Sequence, residues 1–391
     1  MWWSTASSTF PTDTSTQGVA VLTSETTAED HEMPAGTDRG AQESTAEIVV
    51  DSPGAAARRN LFRMGTALTV VGVVAAGLGL GAAGVVMPAR IVVFLVGLVG
   101  IFAGLRRLGL ARFGPDFDLT FVLSCAWLAV LVAAALLAPV LPLAEHEDTA
   151  TTLGARSYAP PNLFSEHPLG TNNFGLDMLA RALFGARSSL IVAVAAVLIG
   201  MLVGGAIGIV AGYFGGRIDR VVGVLTNSLL AVPALILLIA LASVLSPNLR
   251  NISFALAILA VPSMVRIARA NTLAFSQREF VLAARAMGAT KRRVMLREIS
   301  PNVALPLLSF GMVMISVLIV AEASLSFLGL GIQPPTPTWG NMIGEGQGNV
   351  FENHPYIVLV PGTFLFLTVF SFNLVGEKAQ KRTGGTRQVK L

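Results

Sequence analysis

The side chains that could do chemistry in this sequence are few and lie far apart. Ser188, Ser189 and Ser324 supply hydroxyls within apolar segments, but those segments hold a single acid and no histidine that could activate a nucleophile. His167 and Asp177 could begin a metal site, yet no second histidine is near, and the His, Pro, Gly and Thr residues around them are typical of turns. We therefore interpret this pair as loop scaffolding.

Glu322 is the one acid well inside a long apolar segment. A buried carboxylate in a membrane costs several kcal/mol unless it is neutral, paired or facing water, so Glu322 must have a partner. The sequence contains no G-x-x-x-x-G-K-[ST] loop, so this chain is not expected to bind ATP phosphates in the usual way and needs a partner for energy. We expect no cofactor bound by this chain. Cys125 is the only cysteine and excludes a disulfide within the chain.

A charged stretch at residues 276–302 separates two long apolar segments and is too polar to cross a bilayer. Ser276 followed by Glu279 predicts a capping box that begins a helix, and Gly288 can adopt the left-handed conformation that closes one. This helix would place four residues on one face: Phe280, Ala283, Ala284 and Met287. Thr290 can cap a second short helix, which Ser300-Pro301 should end.

The second helix would carry the basic side chains Lys291, Arg292, Arg293 and Arg297. The whole stretch is thus predicted to form a helix-turn-helix elbow, which we call the elbow. Its charge alone is equally typical of a cytoplasmic loop whose arginines only set the orientation of a membrane protein.

Composition places the chain among integral membrane proteins. Of its 391 residues, 53% are hydrophobic and 13% are charged, whereas about a quarter of residues are charged in soluble domains. Residues 1–57 hold nine acids and one arginine, so the formal net charge of +4 leaves about +12 on the rest. This acidic segment, rich in Ser and Thr, is expected to be disordered and, lacking a secretion signal, cytoplasmic.

Apolar segments predict eight spans, the first two forming a hairpin whose second arm is short enough to be re-entrant or tilted. They cover residues 64–87, 91–105, 119–143, 188–214, 218–245, 252–275, 303–330 and 356–375. If the spans alternate, the Lys- and Arg-rich loops and both termini fall on the side of the elbow, which is then cytoplasmic. The loop 331–355 has neither Lys nor Arg, as expected of an external loop, where Trp339 would mark the membrane interface.

Four stretches in order carry a resemblance to a known family. They are HPLGTNNFGLDMLAR at 167–181, the elbow with Ala283, Ala284 and Gly288, AEASLSFLGLG at 321–331 with QPPTPTWGNM after it, and FNL at 372–374. Together they resemble the permeases of ABC importers for dipeptides, oligopeptides and nickel, DppC/OppC type, over residues 111–377. The departures are Leu282, where the family has Glu, and the tail after Gly376.

The resemblance implies an all-α integral membrane protein with the transmembrane domain of a type I ABC importer, a core of six helices, here with an extra N-terminal hairpin. The expected divisions are a disordered tail 1–57, the hairpin 58–110, an OppC-like helix and extracytoplasmic segment 111–185, the type-1 domain 186–377 with the elbow at 276–302, and a basic tail 378–391.

The resemblance also implies partners: a second, DppB/OppB-like permease subunit, P-loop ATPase subunits that carry ATP and Mg²⁺, an extracytoplasmic binding protein and membrane lipid, without nucleic acid. It places ATPase coupling on Glu279, Phe280, Ala283, Ala284, Met287, Gly288, Arg292 and Arg293. Glu322 would lie on the translocation path or the permease interface, or would pin neighbouring helices. The cargo would be a peptide, with nickel or another small solute as an alternative, and an ion-coupled transporter or a non-transporting scaffold as rival functions.

We expect deletion of residues 1–57 to leave membrane insertion and complex formation intact, because their composition offers too little apolar surface to pack or span. The yield of purified complex with and without the segment measures this. Loss of the complex upon deletion would show that the segment folds against a partner.

Overall fold

The computed structural model describes residues 55–81, 87–152, 154–162 and 164–385. Of the segment 1–57 predicted to be disordered, residues 55–57 are helical and begin the first helix, so the prediction was wrong there. Residues 1–54 and 386–391 lie outside that description. Throughout the described ranges the chain is helical with connecting loops, and its only bridge of β type joins Thr171 to Asp177.

Thirteen helices and one π-helical turn follow one another in the described chain. They are α1 Ala55–Gly81, α2 Met87–Phe113, α3 Leu119–Leu137, α4 Met178–Phe214, α5 Gly216–Ala231, α6 Ala234–Ala242, α7 Leu249–Ser276, α8 Glu279–Ala286, α9 Lys291–Arg293, the π-helical turn Val294–Ile299, α10 Ser300–Phe327, α11 Trp339–Gly344, α12 Asn349–Asn353 and α13 Tyr356–Gly385.

Within the described ranges, seven helical segments are long and apolar enough to cross a membrane, or eight if the bent pair α5–α6 counts as one span. The short hairpin arm predicted at 91–105 is part of the 27-residue helix α2, which is long enough to span. Helix α13 continues beyond residue 377, so the first part of the predicted basic tail is helical.

Helices α4 and α7 form a close backbone contact through a glycine at every fourth position of α4. A Cβ atom on Gly204 would lie 2.7 Å from the carbonyl oxygen of Val261, and one on Gly208 would lie 2.6 Å from that of Val265. Only glycine permits such a backbone approach. Since later residues of α4 meet later residues of α7, the two helices are parallel.

The span predicted at 218–245 is not one straight helix, because the chain breaks at Val232-Pro233. The chain is extended at Val232 (ψ 127°) and Pro233, and α5 and α6 meet there at a bend of 86°. Proline lacks the N–H that a continuous helix would use and disfavours helical backbone at the residue before it. Because α4 and α7 run in the same direction, the bent pair must carry the chain back across the bundle.

Side-chain contacts identify which helix ends share one end of the bundle. The Tyr356 hydroxyl, at the start of α13, donates to the carbonyl oxygen of Thr171, just before α4 begins. Lys378, near the end of α13, donates to Asp118, the N-cap of α3, at 2.9 Å, and this hydrogen bond holds the pKa of the Asp118 carboxyl below its usual value. Near its start, α1 packs against the end of α2, since Gly65 faces Leu108 and Gly79 faces Phe94. Because α2 ends shortly before α3 begins, the first turn of α1, the end of α13 and the elbow lie at the same end.

We expect Gly208→Leu to push α4 away from α7 and to lower the free energy of unfolding by about 1–3 kcal/mol, the usual cost of overpacking. Gly77→Leu is the matched control, because a Cβ atom there meets nothing within 4 Å. Thermal unfolding in detergent, followed by loss of the monodisperse peak in size-exclusion chromatography, measures both variants. Equal melting temperatures would contradict the close-contact interpretation.

Candidate functional site

Helix α8 of the elbow has a buried side and an exposed side. Val281 and Ala284 are buried and join the same hydrophobic core as α4, α7 and α10. The sequence placed Ala284 on one face with Phe280 and Met287, but Phe280 is 37% exposed and Met287 is 82% exposed. The other residues expected to couple to an ATPase are also exposed: Glu279, Ala283, Gly288, Arg292 and Arg293.

The end of α8 has the geometry that the sequence predicted. Gly288 has φ +83°, its N–H donates to Arg285 O at 3.0 Å, and the Ala289 N–H donates to Ala284 O at 3.0 Å. This pair of hydrogen bonds is a Schellman motif, in which glycine occupies the left-handed position without steric cost.

The start of α8 differs from the predicted capping box. Helix α7 continues through Ser276, whose hydroxyl donates to Leu273 O at 2.9 Å, so this hydroxyl turns back along α7. Arg278 takes the N-cap position with extended backbone (ψ 151°) and makes no side-chain capping bond. The prediction was wrong because the previous helix extends over the serine.

The second part of the elbow is capped as predicted but does not end where predicted. Thr290 Oγ1 accepts a hydrogen bond from the Arg293 N–H at 3.4 Å. The helix then passes through the π-helical turn, where the Ser300 N–H donates to Met295 O, five residues earlier. Pro301 lies in the first turn of α10, where a missing N–H is tolerated, so Ser300-Pro301 does not end the helix.

Polar contacts tie the elbow to neighbouring helix ends. The Arg285 guanidinium of α8 lies 5.3 Å from the ring centroid of Tyr213 at the end of α4. Arg269 of α7 makes a two-pronged ion pair with Asp219 of α5, with Nη2 to Oδ2 at 2.7 Å and a second bond from Nε to Oδ1. The first contact attaches α8 to the end of α4, and the second attaches α7 to α5.

Glu322 is fully buried, and it has the partners its burial requires. Ser189 Oγ of α4 donates to Oε2 at 2.8 Å, and Ser326 Oγ of α10 donates to Oε1 at 2.7 Å. The hydrogen bond from Ser189 joins α4 to α10, as the helix-pinning alternative requires. Ser189 is therefore a carboxylate partner, which explains its place in an apolar segment without any nucleophilic role.

A polar cluster that the sequence reasoning missed lies at the end of the bundle opposite the elbow. Arg181, 2% exposed, forms an ion pair with Glu345, and Asn172 Nδ2 donates to the other oxygen of Glu345 at 3.1 Å. The loop that contains Glu345 has no Lys or Arg, so any cationic partner of Glu345 had to come from another part of the chain. This was the sequence signal that could have indicated the ion pair.

Two residues singled out in the sequence, Trp339 and His167, also lie at this end of the bundle. Trp339 is fully buried and donates from Nε1 to Ala182 O at 3.0 Å, so it does not mark a membrane interface as predicted; packing against α4 removes its ring from lipid. His167 Nδ1 lies 3.0 Å from Asp177 Oδ2, while Asp177 Oδ1 accepts from the Ala180 N–H and caps α4. These contacts are those of loop scaffolding.

Two half-buried loop side chains at this end have shifted pKa values. Backbone N–H groups of Asp148 and Glu147 hydrogen-bond to the Glu145 carboxylate and lower its pKa. Burial lowers the pKa of His146, whose ring stacks on Phe184 at 3.6 Å between centroids. At neutral pH the lowered pKa of Glu145 favours its ionised carboxylate, and the lowered pKa of His146 favours its neutral imidazole.

Comparison with known proteins identifies the family. Residues 204–384 match the family described as "Binding-protein-dependent transport system inner membrane component". The dipeptide transport system permease protein DppC of Alkalihalophilus pseudofirmus is 33% identical over 255 residues, which cover 65% of this chain and 83% of that protein. This chain belongs to the binding-protein-dependent transport permeases.

Two further relatives are glutathione transport system permease proteins GsiD. The protein from Pectobacterium atrosepticum is 37% identical over 213 residues, and that from Escherichia coli O157:H7 is 39% identical over 212 residues. Each alignment covers 54% of this permease and 70% of the relative. The DppC/OppC-type resemblance drawn from the sequence is confirmed, and the hairpin α1–α2 precedes the residues matched by the family.

We expect Glu322→Gln to be tolerated better than Glu322→Leu, because the amide keeps hydrogen bonds to both serines whereas leucine leaves two buried hydroxyls without them. The loss for leucine should be about 1–3 kcal/mol. Thermal stability and transport are measured for both variants. Ser189→Ala should share part of the loss. Ser324→Ala is the control, because this half-buried serine of α10 donates to the carbonyl oxygen of Val320 and not to Glu322. Equal behaviour of Gln and Leu would contradict a partnered carboxylate.

Proposed function

We propose that this permease forms half of the translocation path of an ATP-driven importer for peptides in the cytoplasmic membrane. It would pair with a second permease subunit, receive cargo from an extracytoplasmic binding protein and rely on separate P-loop ATPases for ATP hydrolysis. Family membership supports this assembly, and the absent P-loop motif in this sequence agrees with it. Both described ends of the chain and the elbow would then be cytoplasmic.

The observation that carries the coupling proposal is the two-sided character of α8. Its inner side, Val281 and Ala284, is anchored in the permease core, while its outer side presents Phe280, Ala283 and Met287 to the surroundings. An exposed apolar helix face, next to exposed arginines, suits a groove on a partner protein. We infer that ATPase subunits bind here.

The anchored side gives this docking a mechanical consequence. A push or pull on α8 acts on α4 through Arg285 and Tyr213, and on α10 through the continuous helix that begins at Lys291. Rotation of α7 and α10 relative to the bent pair α5–α6 would open the path to one side of the membrane at a time. This is alternating access driven from the elbow.

Peptides are the proposed cargo because the relatives are named for dipeptide and glutathione transport, and glutathione is itself a small peptide. Nickel or another small solute remains the alternative within the same complex type. An ion-coupled transporter is disfavoured, since such proteins use several intramembrane ionisable groups, whereas Glu322 is held by side-chain hydroxyls of Ser189, Ser326 and Thr338. Uptake of a labelled dipeptide panel and of nickel by the reconstituted complex distinguishes these cargos.

We expect Gly288→Val to weaken ATPase docking without affecting membrane insertion. A Cβ atom at Gly288 meets nothing within 4 Å, so the cost arises from the left-handed backbone alone, about 1–2 kcal/mol for a β-branched residue. The measurements are co-purification of the ATPase and the stimulation of its hydrolysis by the loaded binding protein.

Two controls isolate the conformational effect at Gly288. Gly223→Val introduces the same side chain into open space within α5, and Arg250→Ala alters an exposed residue at the opposite end of the bundle. Both should dock and couple like the unmodified permease. If Gly288→Val also does so, the elbow is only a basic loop.

A further inference from the structure

A basic cavity of about 590 Å³ lies at the end of the hairpin α1–α2, outside the residues matched by the family. Its walls carry four arginines, three from the first turns of α1 and one from the last turn of α2: Arg58, Arg59, Arg63 and Arg112. Asn60, Phe62 and Ala111 complete the lining. We call this the arginine cavity.

Nothing in the described part of the chain neutralises this charge. None of the four arginines has an ion pair there, and the first turn of α1 contains no acid. The acids nearest in sequence, Asp116 and Asp118, do not line the cavity, and Asp118 is already paired with Lys378. The positive end of the α1 dipole lies at the same place, so the four exposed arginines form a surface that favours a bound anion.

The surroundings of the arginine cavity are those of a lipid site. Exposed apolar side chains lie beside it, including Phe62 at 52%, Met64 at 53% and Phe113 at 69% exposure. Along the hairpin toward the other end of the bundle, many apolar side chains are exposed as well, as suits helices facing lipid. A phosphate in the cavity would therefore place attached acyl chains against an apolar surface.

We propose that the arginine cavity binds the headgroup of an anionic phospholipid, with guanidinium groups donating to phosphate oxygens. Arginine is well suited to this, because its planar donors match a phosphate in pairs and it remains charged. Basic pockets between transmembrane helices are known to hold such headgroups. This proposal rests on the proposed function only where it assigns the lipid to the cytoplasmic leaflet. It does not depend on the identity of the cargo or on ATPase coupling.

The acidic segment 1–57 is the competing occupant, since it carries nine acids and precedes α1 in the chain. The exposed apolar side chains beside the cavity favour lipid, because that segment has few large apolar residues to cover them.

The test measures phospholipid retained by the full chain. The permease is purified in detergent from a mixture of phosphatidylcholine, phosphatidylglycerol and cardiolipin, and the bound lipid is quantified by mass spectrometry. The variant replaces all four arginines by glutamine. The matched controls are replacement of the four by lysine, which keeps the charge, and Arg250→Gln, an exposed arginine at the opposite end.

We expect anionic lipid to be enriched over phosphatidylcholine and to fall on the order of tenfold or more in the glutamine variant. The Arg250 variant should retain it fully and the lysine variant in large part. Equal retention in the glutamine variant, or no preference for anionic lipid, overturns the proposal.

Two further arms separate the other sources of an anion. If deletion of residues 1–54 is required before lipid binds, the acidic segment is the occupant and the lipid proposal fails. If the permease retains no anionic lipid but binds inorganic phosphate, and the glutamine variant loses that phosphate binding, the cavity is a free-phosphate site and the proposal fails likewise. Retention of anionic lipid without deletion of the segment, and its loss in the glutamine variant, support the lipid headgroup.

Discussion

The close approach of α4 and α7 is the constraint on which the rest of this permease depends. In a membrane no hydrophobic effect draws helices together, so backbone contact through small residues must supply the packing. Gly204 and Gly208 place α4 directly against the α7 backbone, and they do so with the helices parallel. That direction requires the bent pair α5–α6 to return the chain and brings the ends of α4 and α7 together at the elbow.

Buried polar groups add links between helices that are remote in sequence. Glu322 and Ser189 join α10 to α4 from positions 133 residues apart, and Arg181 reaches Glu345 across 164 residues. Each charge is expensive to bury, and each has a hydrogen-bonded partner from a distant part of the chain, although the buried Nε of Arg181 has no partner among the described residues. The two links lie on the α4 helix that the glycines already hold in place, so packing and polar contacts stabilise the same core.

The elbow is the proposed link between this helix core and the ATPase subunits. Its helix α8 is short, yet its inner side is fixed by Val281 and Ala284 and its end is fixed by Gly288. A partner bound to the exposed outer side would therefore act on a helix that is anchored in the core of the permease. The hairpin α1–α2 packs chiefly on itself and lies before the family domain, which is consistent with a separate role toward lipid.

Hydropathy and local backbone preferences act over a few residues. The sequence by itself therefore determined the membrane class, the number of apolar segments, the Gly288 turn and the Thr290 cap. Its motifs determined the family. Only the tertiary structure decided that α7 extends over Ser276, that Trp339 is buried and that Ala284 faces inward. Each of these depends on which distant helix lies alongside. Helix packing, unlike hydropathy, is set by pairs of segments far apart in the chain.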